Sequence, residues 1–323
     1  MGLNAIEIWK QWSRDCESRL GRTIFHQTGV AFLSLSQEPN GFGKETIKSL
    51  TKAGYASDLD FNLYSSFPGL NTLKNRFPGG YLNTRGGWGN SGLASEYLAS
   101  RLAEMGVEII TGEKGTFTGL IMSQDGTRVG GVKTADGSEH FGAKTVIAAG
   151  SWTPSLIPEL SSVLQSTGQP VIHIKIPERL RQNFASPHFG VWTADISITG
   201  FYGFPINSDG ILKIAQHGAG YVNPINGVSI PRTVVSNPSD TIPRDALQSF
   251  KSFIKDCLPE LYKLDISSTR MCWYVLNCAY LLGILILAME TSTCVLHPRS
   301  RIYSTPRVEV DMHSSLCLCL DKS

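Results

Sequence analysis

The chain has 323 residues, 41% of them hydrophobic, and carries 29 Lys and Arg against 27 Asp and Glu for a net charge of +2. That is enough apolar material for one large domain or two smaller ones, and basic residues scattered along the whole length leave no footprint for nucleic acid. Of seven cysteines only Cys16 precedes residue 257, and no secretory leader opens the chain, which points to a reducing, cytoplasmic setting and away from a disulfide scaffold.

In chain order, Asn4 and Glu7 form a capping pair for a short helix carrying Ile8, Trp9 and Trp12. Thr23 to Leu35 reads as strand, Lys44 to Ala53 as helix, and Phe67 to Gly80 as a loop rich in Pro and Gly. Leu93, Tyr97, Leu98, Leu102 and Met105 fall at helical spacing, Gly106 stops that helix, and Val107 to Thr111 follows as a short buried strand. Asp125-Gly126 and Asp136-Gly137 separate three apolar segments, the signature of a β-meander turning on glycines that accept positive φ. Thr145 to Trp152 then reads as an apolar strand ending at Gly150. Taken alone, that glycine is a tight turn at a strand end; its missing Cβ would also let a ligand approach the backbone.

Val171 to Tyr221 alternates as strand after strand, with Asp209-Gly210 as a turn, and predicts an antiparallel sheet in a second domain. Asp245 to Leu258 reads as a helix with Leu247, Phe250, Phe253, Ile254 and Leu258 facing inward, ended by Pro259. After Tyr274 the character of the chain changes: one of its 32 glycines and four of its seven cysteines lie in the last 49 residues. Cys272 to Met289 is an uncharged run of 18 residues, near the lower limit of the roughly 17 to 25 that cross a bilayer. Asn277 interrupts it, and basic residues stand on both sides. The compositional break favours another reading, in which residues 275–323 are translated non-coding sequence or a disordered tail.

Four motifs occur in order: Gly80-Tyr81-Leu82-Asn83 with Gly86-Gly87-Trp88, Ala149-Gly150-Ser151-Trp152-Thr153-Pro154, Lys213-Ile214-Ala215-Gln216-His217, and Arg270-Met271-Cys272-Trp273-Tyr274. Together they resemble the FAD-dependent amine oxidases of the monomeric sarcosine oxidase type, most of all the fungal fructosyl amino acid oxidase and saccharopine (pipecolate) oxidase branch. The resemblance implies an α/β (α+β) protein, with a glutathione-reductase-type FAD-binding domain and a mainly antiparallel β-sheet substrate domain. On that pattern 1–15, 81–165 and 257–274 belong to the FAD-binding domain and 16–80 and 166–256 to the substrate domain. It also implies a monomer that oxidises the C–N bond of a secondary amine or N-substituted amino acid with O2, giving an imine and hydrogen peroxide.

Residue by residue, the resemblance places Cys272 where the family joins a cysteine sulfur covalently to the flavin. Lys213 falls on the lysine beside the reactive flavin edge, and His217 on a histidine of the substrate pocket. Gly150 and Ser151 would lie near the dinucleotide, and Trp88 on the flavin or substrate side. From spacing alone, Lys213 also reads as a solvated strand residue, His217 as a hydrogen-bonded structural histidine and Trp88 as core. If the strand is regular, Lys213 and His217 share a side, because i and i+4 have the same parity.

The resemblance is incomplete at both ends. Such enzymes open with a strand, a Gly-x-Gly-x-x-Gly turn and a helix that receives the FAD pyrophosphate, and no such motif opens this chain. Beyond Tyr274 no counterpart of the segment that holds the substrate carboxylate is visible. The chain is therefore expected to be an incomplete version of such an oxidase. The alternatives are a non-catalytic remnant of the family, or a form anchored in a membrane through residues 272–289.

Overall fold

A computed structural model describes residues 2–277. Its centre is an eight-stranded sheet made of β1 (Val30–Ser34), β2 (Leu59–Asp60), β3 (Gly79–Asn83), β4 (Leu164–Lys175), β5 (Val191–Ala194), β6 (Phe201–Gly203), β7 (Ile211–Gln216) and β8 (Ser268–Asn277). The order across the sheet is β8-β4-β7-β6-β5-β1-β3-β2. All neighbours run antiparallel except β5 and β1, which are parallel. The antiparallel sheet expected from residue 171 onward is thus present, and it also takes in strands from the first 83 residues.

The longer helices among the described residues are α1 (Gly2–Leu20), α2 (Gly41–Lys52), α3 (Ser91–Glu104) and α4 (Arg244–Cys257). Asn40 and Asn90 cap α2 and α3, each side-chain oxygen accepting a hydrogen bond from the backbone N–H three residues on, at 2.8 and 3.1 Å. The main core lies between one face of the sheet and α4. Alternation along the strands turns Ile172, Ile174, Leu212, Ile214, Phe201 and Trp192 to that face, and α4 lays Phe250, Phe253 and Ile254 upon it. Phe253 stacks on Phe201 and Trp192, with ring centroids 4.1 and 5.8 Å away. Each such ring contributes about 1.5–3 kcal/mol through burial alone. A smaller cluster of Cys16, Ile24, Leu93, Ala94 and Tyr97, with Trp9 and Trp12 against it, joins α1 to α3.

Several expectations need correction. The first helix is not short, and Asn4 lies inside it rather than at its cap. The strand expected over 23–35 is broken into Phe25–His26 and β1, because Gly29 stands at φ +81° between them. The meander is present as Phe117–Met122, Val129–Thr134 and Glu139–Phe141, with Gly126 and Gly137 at positive φ in its turns.

Val107 to Thr111, however, is neither buried nor a strand, with Val107, Ile109 and Ile110 exposed. Nor does Thr145 to Trp152 form the expected strand. Val146 is exposed, and Gly150 at φ +52° opens a short 3-10 turn over Gly150–Trp152. Both segments have the apolar composition of a parallel strand, which forms only when neighbours cover it on both faces. No strand among the described residues lies beside Val107–Thr111. For the same reason Leu102 and Met105, at the far end of α3, are exposed where helical spacing placed them inside.

The uncharged run from Cys272 begins as strand β8, and its remainder lies outside the described residues. Among the described residues, no helix is long and apolar enough to cross a membrane.

Candidate functional site

The face of the sheet turned away from the main core gathers the residues of chemical interest. Even positions of β8 present Arg270, Cys272 and Tyr274 there, and odd positions of β4 present Thr167, Gln169, Val171 and His173. β7 adds Lys213 and Ala215. Cys272 pairs in register with Gln169, Arg270 with Val171, and Lys213 with His173. Lys213 and Cys272 therefore flank β4 on its two sides and face the same way. Two strand spacings set their Cα atoms roughly 10 Å apart across the sheet and four residues set them about 13 Å apart along it. Between them Val171, Ala215 and Cys272 form a buried apolar patch, with Tyr202 and Tyr274 packed against it.

Cations and aromatic rings border this patch. The Lys213 Nζ lies 5.2 Å from the centroid of Phe204, a cation–π contact that keeps the ammonium over the face. Phe204 in turn meets Tyr202 edge-on at 5.9 Å. His173 sits between β7 and β8, its Nδ1 3.1 Å from the Ser268 hydroxyl. Burial, reinforced by the charges of Arg270 and Lys213, pushes its imidazole down to about 4. It is therefore neutral at ordinary pH.

His217 lies one residue past the end of β7, where its N–H donates to the Gly200 carbonyl at 2.8 Å. Its ring stands 6.2 Å from that of Tyr274, which puts it on the same face as Lys213 and Cys272. Burial holds it below the usual histidine value.

Of the other expected site residues, Gly150 and Ser151 lie in the turn that packs against β4 and β8. The Ser166 hydroxyl donates to the Ser151 carbonyl, and Ser166 pairs with Val275. Both residues therefore stand near the Tyr274 end of the face. Trp88 belongs to a separate two-stranded ribbon, paired with His26 and stacked on its ring at 4.2 Å. Its indole Nε1 is buried with no hydrogen-bond partner among the described residues.

Residues 1–279 match the model of the family described as FAD dependent oxidoreductase (DAO). This chain belongs to that FAD dependent oxidoreductase family. Among curated members it is 24% identical over 291 residues to L-saccharopine oxidase of Schizosaccharomyces pombe, covering 83% of this chain and 65% of that protein. Among solved structures it superposes on a thermally stable mutant of fructosyl peptide oxidase with a TM-score of 0.74 at 23% identity, over 85% of this chain and 65% of that one. Fructosamine oxidase from Aspergillus fumigatus (Amadoriase II) superposes with a TM-score of 0.64 at 23% identity, over 84% and 62%. The chain thus spans under two thirds of the length of these relatives, and the solved structures establish its fold.

The residues present fit one part of the family's cofactor. Thr167 Oγ1, on the same face and opposite Tyr274, is buried without a hydrogen-bond partner among the described residues, and buried hydroxyls are rarely left so. An apolar patch beside it, bordered by aromatics and cations, suits a flat polar heterocycle. The described residues supply no matching cradle for the pyrophosphate. The glycine spacing itself does occur, at Gly87-Trp88-Gly89-Asn90-Ser91-Gly92, running into the first turn of α3. There the strand is Trp88–Gly89, two residues long, within the motif and antiparallel to Phe25–His26, not the central parallel strand that must precede such a turn. Gly87 is explained by packing: a Cβ on it would stand 2.2 Å from the His26 carbonyl oxygen.

Gln169, His173, Thr167 and Tyr202 escaped sequence reasoning. The signal that could have found the first three is parity along β4, where they share the odd face with Val171 while Ile172 and Ile174 enter the core.

Proposed function

We propose that this chain is the larger part of an FAD-dependent amine oxidase that takes a secondary amine or N-substituted amino acid and O2 to an imine and hydrogen peroxide. The observation that carries the reading is the single sheet face shared by Cys272, Lys213 and His217, with a buried apolar patch between the first two. In this reading residues 1–15, 81–165 and 257–274 serve the cofactor and 16–80 and 166–256 the substrate. The enzyme acts as a cytoplasmic monomer.

When bound, FAD supplies the two-electron acceptor for the C–N bond and the route of those electrons to O2. Cys272 Sγ would hold the ring by a covalent thioether, with Gly150 and Ser151 near the dinucleotide and Trp88 toward its flavin side. Lys213 keeps a positive charge over the face, which stabilises the negative charge that oxygen gains on reduction. The neutral His217 imidazole can accept a hydrogen bond from a substrate N–H without repelling a cationic amine. Tyr202, Phe204 and Tyr274 keep bulk water from the patch, which strengthens each of these electrostatic effects.

The test is spectroscopic and chemical. Protein extended at both ends to the length of its relatives should retain a flavin band near the visible blue after denaturation in acid, and should release peroxide with members of a panel of N-substituted amino acids. Absence of both the bound flavin and the peroxide would overturn the proposal in favour of a non-catalytic remnant.

A further inference from the structure

Gln169 stands directly opposite Cys272 in the β4–β8 register and is 1% exposed. Its carboxamide does not pair within the sheet face. Instead Nε2 donates to the Gly218 carbonyl at 3.1 Å and Oε1 accepts from the Gly218 N–H at 2.9 Å, so one side chain satisfies both backbone groups of the residue after His217.

The loop is pressed closely against this amide. A Cβ on Gly220, at φ +76°, would stand 2.4 Å from Gln169 Nε2. One residue further, Tyr221 closes an antiparallel bridge with Gly168, the two N–H···O bonds measuring 2.7 and 2.9 Å. On the other side of His217 the restraint is the bond to Gly200. The imidazole is thus carried on a five-residue strap whose second residue is gripped by the side chain beside Cys272.

We propose that Gln169 is a positioning residue, whose clamp on Gly218 fixes where the His217 ring stands relative to Cys272 and Tyr274. This rests on the oxidase reading only for the consequence that substrate binding depends on it; the placement itself stands on the geometry. The titratable and charged groups on this face are Arg270, Cys272 and Tyr274 from β8, His173 from β4, Lys213 from β7 and Tyr202 from β6.

The experiment compares the full chain with Gln169→Met, which conserves volume but removes both hydrogen bonds, and Gln169→Glu, which keeps the acceptor for the Gly218 N–H. In Gln169→Met the Gly218 amide should exchange with solvent about tenfold faster or more, as expected for one lost hydrogen bond. The His217 ring proton signal, assigned with His217→Asn, should titrate higher by about half a unit or more as the ring leaves its buried position. KM for an amine substrate should rise by about tenfold with kcat changed less. Gln169→Glu should keep Gly218 protected, and it decides the matter if the Met variant does not fold. Unchanged Gly218 exchange in the Met variant overturns the proposal, as does faster exchange with an unmoved His217 titration, or loss of Gly218 protection in a folded Glu variant. Neither magnetic resonance readout needs flavin or substrate, so a protein without oxidase activity leaves this test intact.

Discussion

Lys213 and Cys272 stand on the two strands that flank β4, opposite His173 and Gln169, and both turn to the face away from the main core. Because they sit on either side of one central strand, a group lying across β4 meets the sulfur at one end and the ammonium at the other. Replacing Cys272 by Ser should abolish flavin that survives denaturation while leaving the sheet intact, since Ser is close in volume and the strand hydrogen bonds are backbone ones. Acid precipitation followed by absorbance of pellet and supernatant checks this. Flavin retained in the pellet would remove Cys272 from the assignment.

Lys213→Met keeps the aliphatic stem over Phe204 and removes the charge. Anaerobic reduction by substrate should change little, whereas reoxidation by O2 should slow by on the order of 10²-fold, the scale of losing one preorganised electrostatic group. Rapid mixing of the reduced enzyme with oxygenated buffer separates the two half-reactions.

His173 makes a prediction about stability that needs no cofactor. Its folded-state value is depressed to about 4 from the ordinary 6.5 by burial, and secondarily by Arg270 and Lys213. Between those limits the unfolded chain binds a proton that the native one does not, so stability is fully present above about 6.5 and is lost as pH falls toward 4. The slope from this group approaches at most about 1.4 kcal/mol per pH unit. Urea midpoints measured from pH 4 to 7 should show it, and His173→Gln should flatten it. An identical profile in the variant would assign the acid sensitivity elsewhere.

Phe253→Ala should cost about 3–5 kcal/mol, the range for deleting a buried ring that its neighbours cannot replace. The ring stacks on both Phe201 and Trp192 and is 2% exposed. Ile198→Ala, at a residue 66% exposed, should stay within about 0.5 kcal/mol. Denaturant titration of both variants checks the contrast, and a small loss for Phe253→Ala would contradict the core described between the sheet and α4.

Much of the local structure was legible because its causes are local. Alternation from Ile172 to Ile176 and the spacing of Phe250, Phe253 and Ile254 each state which side of an element is apolar, and the structure buries those sides, while the Asp-Gly turns place the meander's hairpins. Family membership was legible in the same way, from four short motifs in order. What failed were Val107–Thr111 and Thr145–Trp152, where composition alone indicated a buried strand. A parallel strand owes its existence to neighbours distant in sequence, and among the described residues Val107–Thr111 has none.

Sequence by itself determined the alternating faces, the turns, and the residue types set at 213, 217 and 272, because side-chain direction in a strand follows from backbone period alone. Only the tertiary structure decided that strands from residues 164–175, 211–216 and 268–277 pair in the registers that bring those three residues to one face. It alone decided, too, that Gln169 grips Gly218. Register depends on which strands meet and on how the loops between them close, and those are properties of the packed chain that no local window contains.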